Sequence, residues 1–261
     1  MSAANAVAPV KKMISMTLSD LSSAALKLVT NGSVTGAPSV SASSVFQEAG
    51  STPIVFLAIR RPAWWLCREK ALELSIRHKN NDFGANTRLI GIVREVAPAK
   101  GAETDKEFGL SVYQDEYFEK NPVYLDEEMT FFNALGRKGI FLSKTNVYNP
   151  FSLLWLLGKL WRKMSNRGIS GNTSAGDGRI MGGIVVIRDG KIVYHAGEDL
   201  EDPFDYAEIA AAATGKPVEE GKRTGTFLDP NSPANVDPQA SVLSQKQKDT
   251  LEVCYSPKDC A

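Results

Sequence analysis

A strand followed by a short turn and a helix constrains the fold of this chain most. Residues Ile54–Ile59 form a continuous apolar run, which predicts a strand buried on both faces. Pro62 follows in a short turn, where its fixed φ and missing N–H end strand pairing. Helix-forming residues dominate 67–78, so a helix is predicted there with Cys67 in its first turns. Unpaired backbone N–H groups and the helix dipole favour a thiolate at such a position, which makes this junction a candidate redox site.

Further strands and helices alternate along the chain. The predicted order is strand 54–59, helix 67–78, strand 88–93, helix 106–118, strand 123–125, helix 129–135, strands 181–187 and 192–195, and helix 206–213. The first part of this order predicts parallel strands joined by right-handed crossovers. Asp189-Gly190 predicts a tight turn between two antiparallel strands. The fold class is therefore α/β, with a central mixed sheet flanked by helices.

Composition divides the chain into three parts. Residues 1–40 are small, polar and rich in Ser and Ala, which predicts an N-terminal extension with one short helix over 18–29. Residues 41–215 carry the regular apolar patterns of a folded domain. From 216 to 261 the chain is rich in Pro, Ser, Lys, Asp and Gln without periodicity, which predicts a disordered C-terminal tail.

The turn and helix start read Arg-Arg-Pro-Ala-Trp-Trp-Leu-Cys-Arg over residues 60–68. This run resembles the active-site segment of the peroxiredoxin-like 2 family, AhpC/TSA-type proteins that include selenoprotein U and whose pattern is Arg-Arg-Pro-Gly-Cys-x-x-Cys-Arg. Ala63 stands for the glycine and Trp64 for the first cysteine or selenocysteine. Residues 122–126, 134–136, 176–178 and 182–187 extend the resemblance, which spans roughly 45–214. It implies a thioredoxin-like fold and thiol-dependent redox-regulatory or antioxidant activity.

For the site, the resemblance implies a mechanism with a single cysteine. The Cys67 thiolate would attack a peroxide, form a sulfenic acid and be recycled by an external or a tail thiol. Because this chain lacks the family's first cysteine, the expected activity is at most that of a weak peroxidase or thiol oxidoreductase. The residues expected to support Cys67 are Arg60, Arg61, Pro62, Trp64, Trp65 and Arg68.

Two interpretations of Cys67 follow from the residues around it. Arginines on both sides favour a reactive thiol with a lowered pKa. Alternatively, Cys67, Ala71 and Leu74 form one helical stripe that faces the sheet, and a cysteine buried there is inert. One of the two indoles, Trp64 or Trp65, is predicted to plug the former active-site pocket while the other packs outward, although both would also suit the wall of an apolar ligand site. The competing function is therefore a catalytically inactive thioredoxin-like module that acts as a protein-interaction or structural subunit.

The remaining candidate features lie after the first half of the chain. Cys254 and Cys260 are either resolving thiols for Cys67 or incidental surface thiols. Residues Phe151–Met164 form an amphipathic helical pattern that either packs on the core or binds a protein partner or a membrane surface. The glycines between 168 and 183 lack a nucleotide-binding spacing, and His78 and His195 lack a metal-ligand spacing, so no cofactor and no metal are predicted.

Overall composition bears on partners and compartment. Thirty acidic and thirty basic side chains leave no net charge, which argues against binding of nucleic acid. Three cysteines favour a reducing compartment, and no apolar segment reaches the ~20 residues of a transmembrane helix. Thioredoxin or another thiol donor is the expected partner, and the cytoplasm the expected location. A mitochondrion or plastid is the alternative, because the first 19 residues lack acidic side chains.

Overall fold

The structure is a computed structural model that describes residues 16–96, 108–136, 169, 171, 180–198 and 204–217. Several predicted features lie outside these residues. They are the amphipathic helix at 151–164, most of the glycine-rich segment, the tail from residue 218 onward, and the tail cysteines Cys254 and Cys260.

A seven-stranded mixed sheet forms the centre of the protein. Its strands are β1 (Ala25–Leu28), β2 (Ser39–Ser41), β3 (Ile54–Ile59), β4 (Arg88–Val93), β5 (Val123–Asp126), β6 (Gly183–Arg188) and β7 (Lys191–Gly197). They lie in the order β2-β1-β5-β4-β3-β6-β7. The strands β3, β4 and β5 are parallel, whereas β6 runs antiparallel to β3 and β1 runs antiparallel to β5. Because β3 lies between β4 and β6, all six of its residues are buried.

Helices cover both faces of this sheet. They are α1 (Leu18–Ser22), α2 (Ala42–Ala49), α3 (Trp65–Lys79), α4 (Leu110–Val112), α5 (Thr130–Ala134) and α6 (Tyr206–Thr214), and α4 continues as a π-helix over Tyr113–Tyr117. Side chains of β3 alternate between two apolar cores, because successive residues of a strand point to opposite faces. Val55, Leu57 and Ile59 pack in the core that includes α3 and α6, and the other three residues pack in the core that includes α2 and α5.

This architecture confirms the predicted thioredoxin-like α/β class. The strand–helix–strand order around β3, α3 and β4 is the predicted parallel unit, and β6 and β7 form the predicted antiparallel hairpin before the last helix. At the hairpin turn, Asp189 and Gly190 have φ values of 51° and 67°. Tight hairpin turns require positive φ at such positions, which Asp and Gly adopt more readily than other residues. Among the described residues, no helix is long and apolar enough to cross a membrane.

The segment that the sequence predicts as an N-terminal extension differs from that prediction. The helix expected over 18–29 ends at Ser22, and the chain continues as strand β1. Leu26 is fully buried and pairs with Asp126 of β5, so sheet pairing and burial override the helix propensity of this short segment. The described part of the extension therefore adds two strands to the sheet. The boundary expected at residue 40 falls inside strand β2.

The helix expected over 106–118 also differs in detail. Its described part begins at Leu110, after Gly109 in the left-handed conformation with φ of 76°, and changes from α to π geometry at Tyr113. A π-helix places one extra residue in a turn and is seen often at functional sites. Here it directs two buried tyrosines, Tyr113 and Tyr117, towards the sheet side that carries α3.

A pair of substitutions in β1 tests whether the N-terminal segment is part of the fold. We expect Leu26→Ala to lower the free energy of unfolding by about 2–5 kcal/mol, because it leaves a cavity under the sheet. Leu28→Ala, in the same strand at a side chain that is 42% exposed, should change it by about 0.5 kcal/mol or less. Chemical denaturation of both variants measures the difference, and equal small effects would contradict the structure.

Candidate active site

Cys67 lies where the sequence predicts, at the junction between β3 and α3. Trp64 is the N-cap residue of α3, and its carbonyl accepts hydrogen bonds from the backbone N–H groups of Cys67 (2.9 Å) and Arg68 (3.1 Å). No side chain caps this helix start. The thiol therefore lies in the first turn of α3, directly after the central strand of the sheet.

Cys67 is nevertheless a buried thiol, only 3% exposed. Burial raises the pKa of the Cys67 thiol, and the negative charge of Glu198 raises it further. The positive charges of Arg60 and Lys70 and a backbone hydrogen bond at Arg61 lower this pKa, but they do not offset the burial. The raised pKa favours a protonated thiol at neutral pH, which is the second of the two interpretations that the sequence leaves open for Cys67.

A small cavity adjoins the Cys67 thiol. Its volume is about 10 Å³, and it is lined by Leu57, Ala58, Ile59, Cys67, Lys70, Glu198 and Phe204. This volume is close to the least that one water molecule needs. The cavity therefore offers room beside the sulfur for a single oxygen atom, whereas an organic peroxide would need the surrounding side chains to move.

The polar side of the cavity is a buried ion pair. Lys70 Nζ lies 2.6 Å from Glu198 Oε1, with the two side chains 12% and 4% exposed. Burial alone would raise the pKa of Glu198, but the charges of Lys70 and Arg60 and hydrogen bonds from Lys70 and Gly182 outweigh it and leave that pKa below its ordinary value. Glu198 Oε2 accepts the hydrogen bond from the Gly182 amide at 3.2 Å. Glu198 is therefore a carboxylate that joins the end of β7 to α3.

An indole and a guanidinium occupy the place where the family pattern has its first cysteine. The Arg60 guanidinium carbon lies 3.4 Å from the centre of the Trp64 ring, and Arg60 is only 1% exposed. Arg60 Nη1 also donates to the Met181 sulfur at 3.0 Å. Trp64 is half-buried, and Trp65, whose ring centre is 6.4 Å away, is buried in the core. Trp65 is thus part of the core and Trp64 covers the Arg60 guanidinium, and neither lines the cavity at Cys67.

The other predicted supporting residues hold the turn in place. Arg68 is buried, and its Nε donates to the carbonyl of buried Pro62 at 3.0 Å. Its guanidinium lies 5.0 Å from the ring centre of Tyr117 in the π-helix. Arg61 is half-buried and contributes its backbone to the thiol. Of the three predicted arginines, Arg60 therefore has the guanidinium that acts most strongly on Cys67.

Two glycines bring other segments against the start of α3. A Cβ atom on Gly171 would lie 2.7 Å from the Ala63 carbonyl oxygen and 2.9 Å from the Trp65 nitrogen. A Cβ atom on Gly109 would lie 3.3 Å from Ala63 Cβ and 2.5 Å from an Arg68 nitrogen. Only glycine allows such close approach. The N-terminal end of α3 is consequently covered by backbone as well as by indole.

Sequence reasoning missed Lys70, Glu198, Phe204 and Tyr113 at this site. Lys70 follows Cys67 by three residues, so the helical period places both on one face, and this signal was available in the sequence. Glu198 comes 128 residues after Lys70, and no local pattern distinguishes it from a surface glutamate. Within the part of the chain that the structure describes, no three His, Cys, Asp or Glu side chains come together in a metal-binding arrangement.

Comparison with known proteins gives matches of several kinds. The family described as AhpC/TSA antioxidant enzyme matches residues 101–199. Peroxiredoxin-like 2A of Bos taurus is 30% identical over 165 residues, which cover 61% of this chain and 65% of that protein. Peroxiredoxin-like 2A of Homo sapiens is 29% identical, with 61% of this chain and 62% of that protein covered. A solved structure of a mutant of Xanthomonas campestris peroxiredoxin Q shares 8% identity at a TM-score of 0.43 and covers 79% of this chain and 96% of that chain. The chain thus spans less than two thirds of the length of the two mammalian relatives.

Substitution of Trp64 tests the contact between its ring and the buried Arg60. We expect Trp64→Leu to lower the free energy of unfolding by about 2 kcal/mol, because a desolvated guanidinium loses the aromatic face on which it rests. Trp64→Phe keeps an aromatic face and should lose less. Denaturation of both variants is the measurement, and an equal loss in the two would show that ring volume, not the cation–π contact, accounts for the effect.

Proposed function

As residues 60–68 predict, the chain is a relative of the peroxiredoxin-like 2 proteins, and on this premise we propose that it is a thiol-dependent redox-regulatory protein whose chemistry rests on Cys67. The observation that carries the proposal is the position of Cys67 in the first turn of α3, where it lines a small cavity together with the Lys70–Glu198 ion pair.

The proposed reaction is the two-electron oxidation of Cys67 by a small peroxide. The thiolate sulfur attacks one peroxide oxygen, so that an S–O bond forms and the O–O bond breaks. Sulfur is oxidised to the sulfenic acid, and the peroxide is reduced to hydroxide, which takes up a proton to become water. A thiol donor then attacks the sulfenic acid sulfur and releases water, and a second thiol reduces the resulting mixed disulfide to regenerate Cys67.

Slow reaction is an essential part of this proposal. A buried thiol with a raised pKa presents little thiolate at neutral pH, and the cavity admits no organic peroxide as it stands. Cys67 would therefore react only in molecules that have opened transiently. Its oxidation would report sustained exposure to an oxidant, whereas a peroxidase turns over its substrate rapidly. We propose thioredoxin or another thiol donor as the reductant and the cytoplasm as the location, with a mitochondrion or plastid as the alternative.

A catalytically inactive interaction module is the second candidate function. It is favoured by the stacking of Arg60 on Trp64 and by the packing of Gly171 on the start of α3, which together cover the position of the family's first cysteine. A module of this kind would keep the fold and use its surface to bind a protein partner. The helix predicted at 151–164 stays the predicted binding site for that partner. Cys254 and Cys260 stay the predicted resolving thiols for Cys67.

Trapping of sulfenic acid distinguishes the two candidates. The test uses the full chain with Cys254→Ser and Cys260→Ser, treated with hydrogen peroxide and dimedone, and mass spectrometry of the Cys67 peptide. We expect a Cys67 adduct that forms at least about tenfold more slowly in the folded protein than in the same protein in urea, because folding both buries the thiol and raises its pKa.

The control for this experiment is Cys67→Ser in the same background. Peroxide consumption that persists in the Cys67→Ser variant would place the chemistry elsewhere in the chain. An adduct in urea without any adduct in the folded protein, even after prolonged exposure, would overturn the redox proposal in favour of the inactive module.

A further inference from the structure

We propose that Glu198 restrains the reactivity of Cys67 by neutralising the two cations that face the thiol, Lys70 and Arg60. In this arrangement the carboxylate adds to the effect of burial on Cys67, and loss of the carboxylate charge would convert Cys67 into a more acidic and more reactive cysteine. The inference deepens the proposed function, because it identifies the residue that sets how much thiolate that chemistry has available.

The geometry places all the necessary groups around one small space. Lys70 follows Cys67 by three residues on the same face of α3, and its ammonium lies 2.6 Å from the Glu198 carboxylate. The three residues Cys67, Lys70 and Glu198 line the same cavity of about 10 Å³. Glu198 is held in this position independently of Lys70, because the Gly182 amide donates to its second carboxylate oxygen.

The charges that face Cys67 come from several elements. Arg60 leaves the end of β3, Lys70 belongs to α3, and Glu198 follows β7, and each of them acts electrostatically on the thiol. Arg68 of α3 also acts on it, but the Arg68 guanidinium is held by the Pro62 carbonyl. Among the charged side chains, Glu198, Arg60 and Lys70 therefore act most strongly on the sulfur.

Tyr113 of the π-helix completes the surroundings of the thiol. It is fully buried and is coupled electrostatically to Cys67, and its hydroxyl has no hydrogen-bond partner among the described residues. Burial, followed by the nearby Cys67, raises the pKa of Tyr113 well above its ordinary value. Tyr113 is therefore a neutral phenol that adds no charge to the surroundings of the thiol.

Burial makes the charge balance effective. Solvent screens charges weakly inside a protein, so a carboxylate that removes the field of a neighbouring ammonium changes a nearby thiol more than it would at the surface. Glu198→Gln keeps the size of the side chain and removes the negative charge. Its single amide oxygen can accept from either Lys70 or Gly182, so one of these two hydrogen bonds is lost as well.

Titration of Cys67 by NMR tests the inference without requiring that any reagent reach the thiol. The protein is the full chain with Cys254→Ser and Cys260→Ser, labelled with ¹³Cβ-cysteine, so that the chemical shift reports the ionisation of Cys67 alone. We expect Glu198→Gln to lower the titration midpoint of Cys67 by about one pH unit or more. Lys70→Met should raise the midpoint, because it leaves the carboxylate beside the thiol without its closest cation.

Glu73→Gln is the matched control. Glu73 is another buried glutamate, 1% exposed, and it pairs with Arg77 at 2.9 Å on the same helix but does not line the cavity. The inference is overturned if Glu198→Gln leaves the midpoint unchanged or raises it, or if Glu73→Gln lowers it equally. Because the titration needs no peroxide, its result is separate from the sulfenic acid experiment, and either proposal can fail alone.

Discussion

The central strand β3 uses its backbone on both sides, in parallel pairing with β4 and antiparallel pairing with β6, and its side chains in two apolar cores. Because both edges and both faces of β3 are covered, the residues that directly follow this strand are also held inside the protein. The residues at its end, Arg60 and Pro62, are buried together with the first turn of α3. The Cys67 thiol is therefore embedded by the same packing that defines the fold, and its raised pKa is a consequence of its position in the architecture.

Charged groups inside this packing need partners, because an uncompensated buried charge is strongly destabilising. The described structure satisfies this need with few residues. The Glu198 carboxylate accepts hydrogen bonds from the Lys70 ammonium and the Gly182 amide. The Arg60 guanidinium stacks on the Trp64 ring and donates a hydrogen bond to the Met181 sulfur. These contacts connect the start of α3 with the end of β3, with β7 and with the residues before β6. The polar groups around the thiol thus bind together elements that are distant in the chain.

Local patterns in the sequence predict much of this fold. Apolar runs identify β3 and β4, the Asp189-Gly190 pair identifies the hairpin, and helix formers after Pro62 identify α3, because each signal acts within a few residues. The strand β1 escaped prediction because its stability comes from pairing with β5, about a hundred residues later. Glu198 was not predicted for the same reason, because the Lys70 ammonium that it binds comes near only in the folded protein. The motif located the thiol, but not the charges that govern it.

The replacement of a cysteine by Trp64 is compatible with the fold because the fold makes little use of that position. Burial of β3, the apolar stripe of α3 and the cover of Gly109 and Gly171 do not require a thiol at the helix N-cap. The N-cap backbone accepts the first helical hydrogen bonds whatever its side chain is. The indole instead provides an aromatic face for Arg60, a cation that the family's motif places beside the site in any case. An indole at this position therefore adds a contact with Arg60, and the architecture persists without a thiol at the helix N-cap.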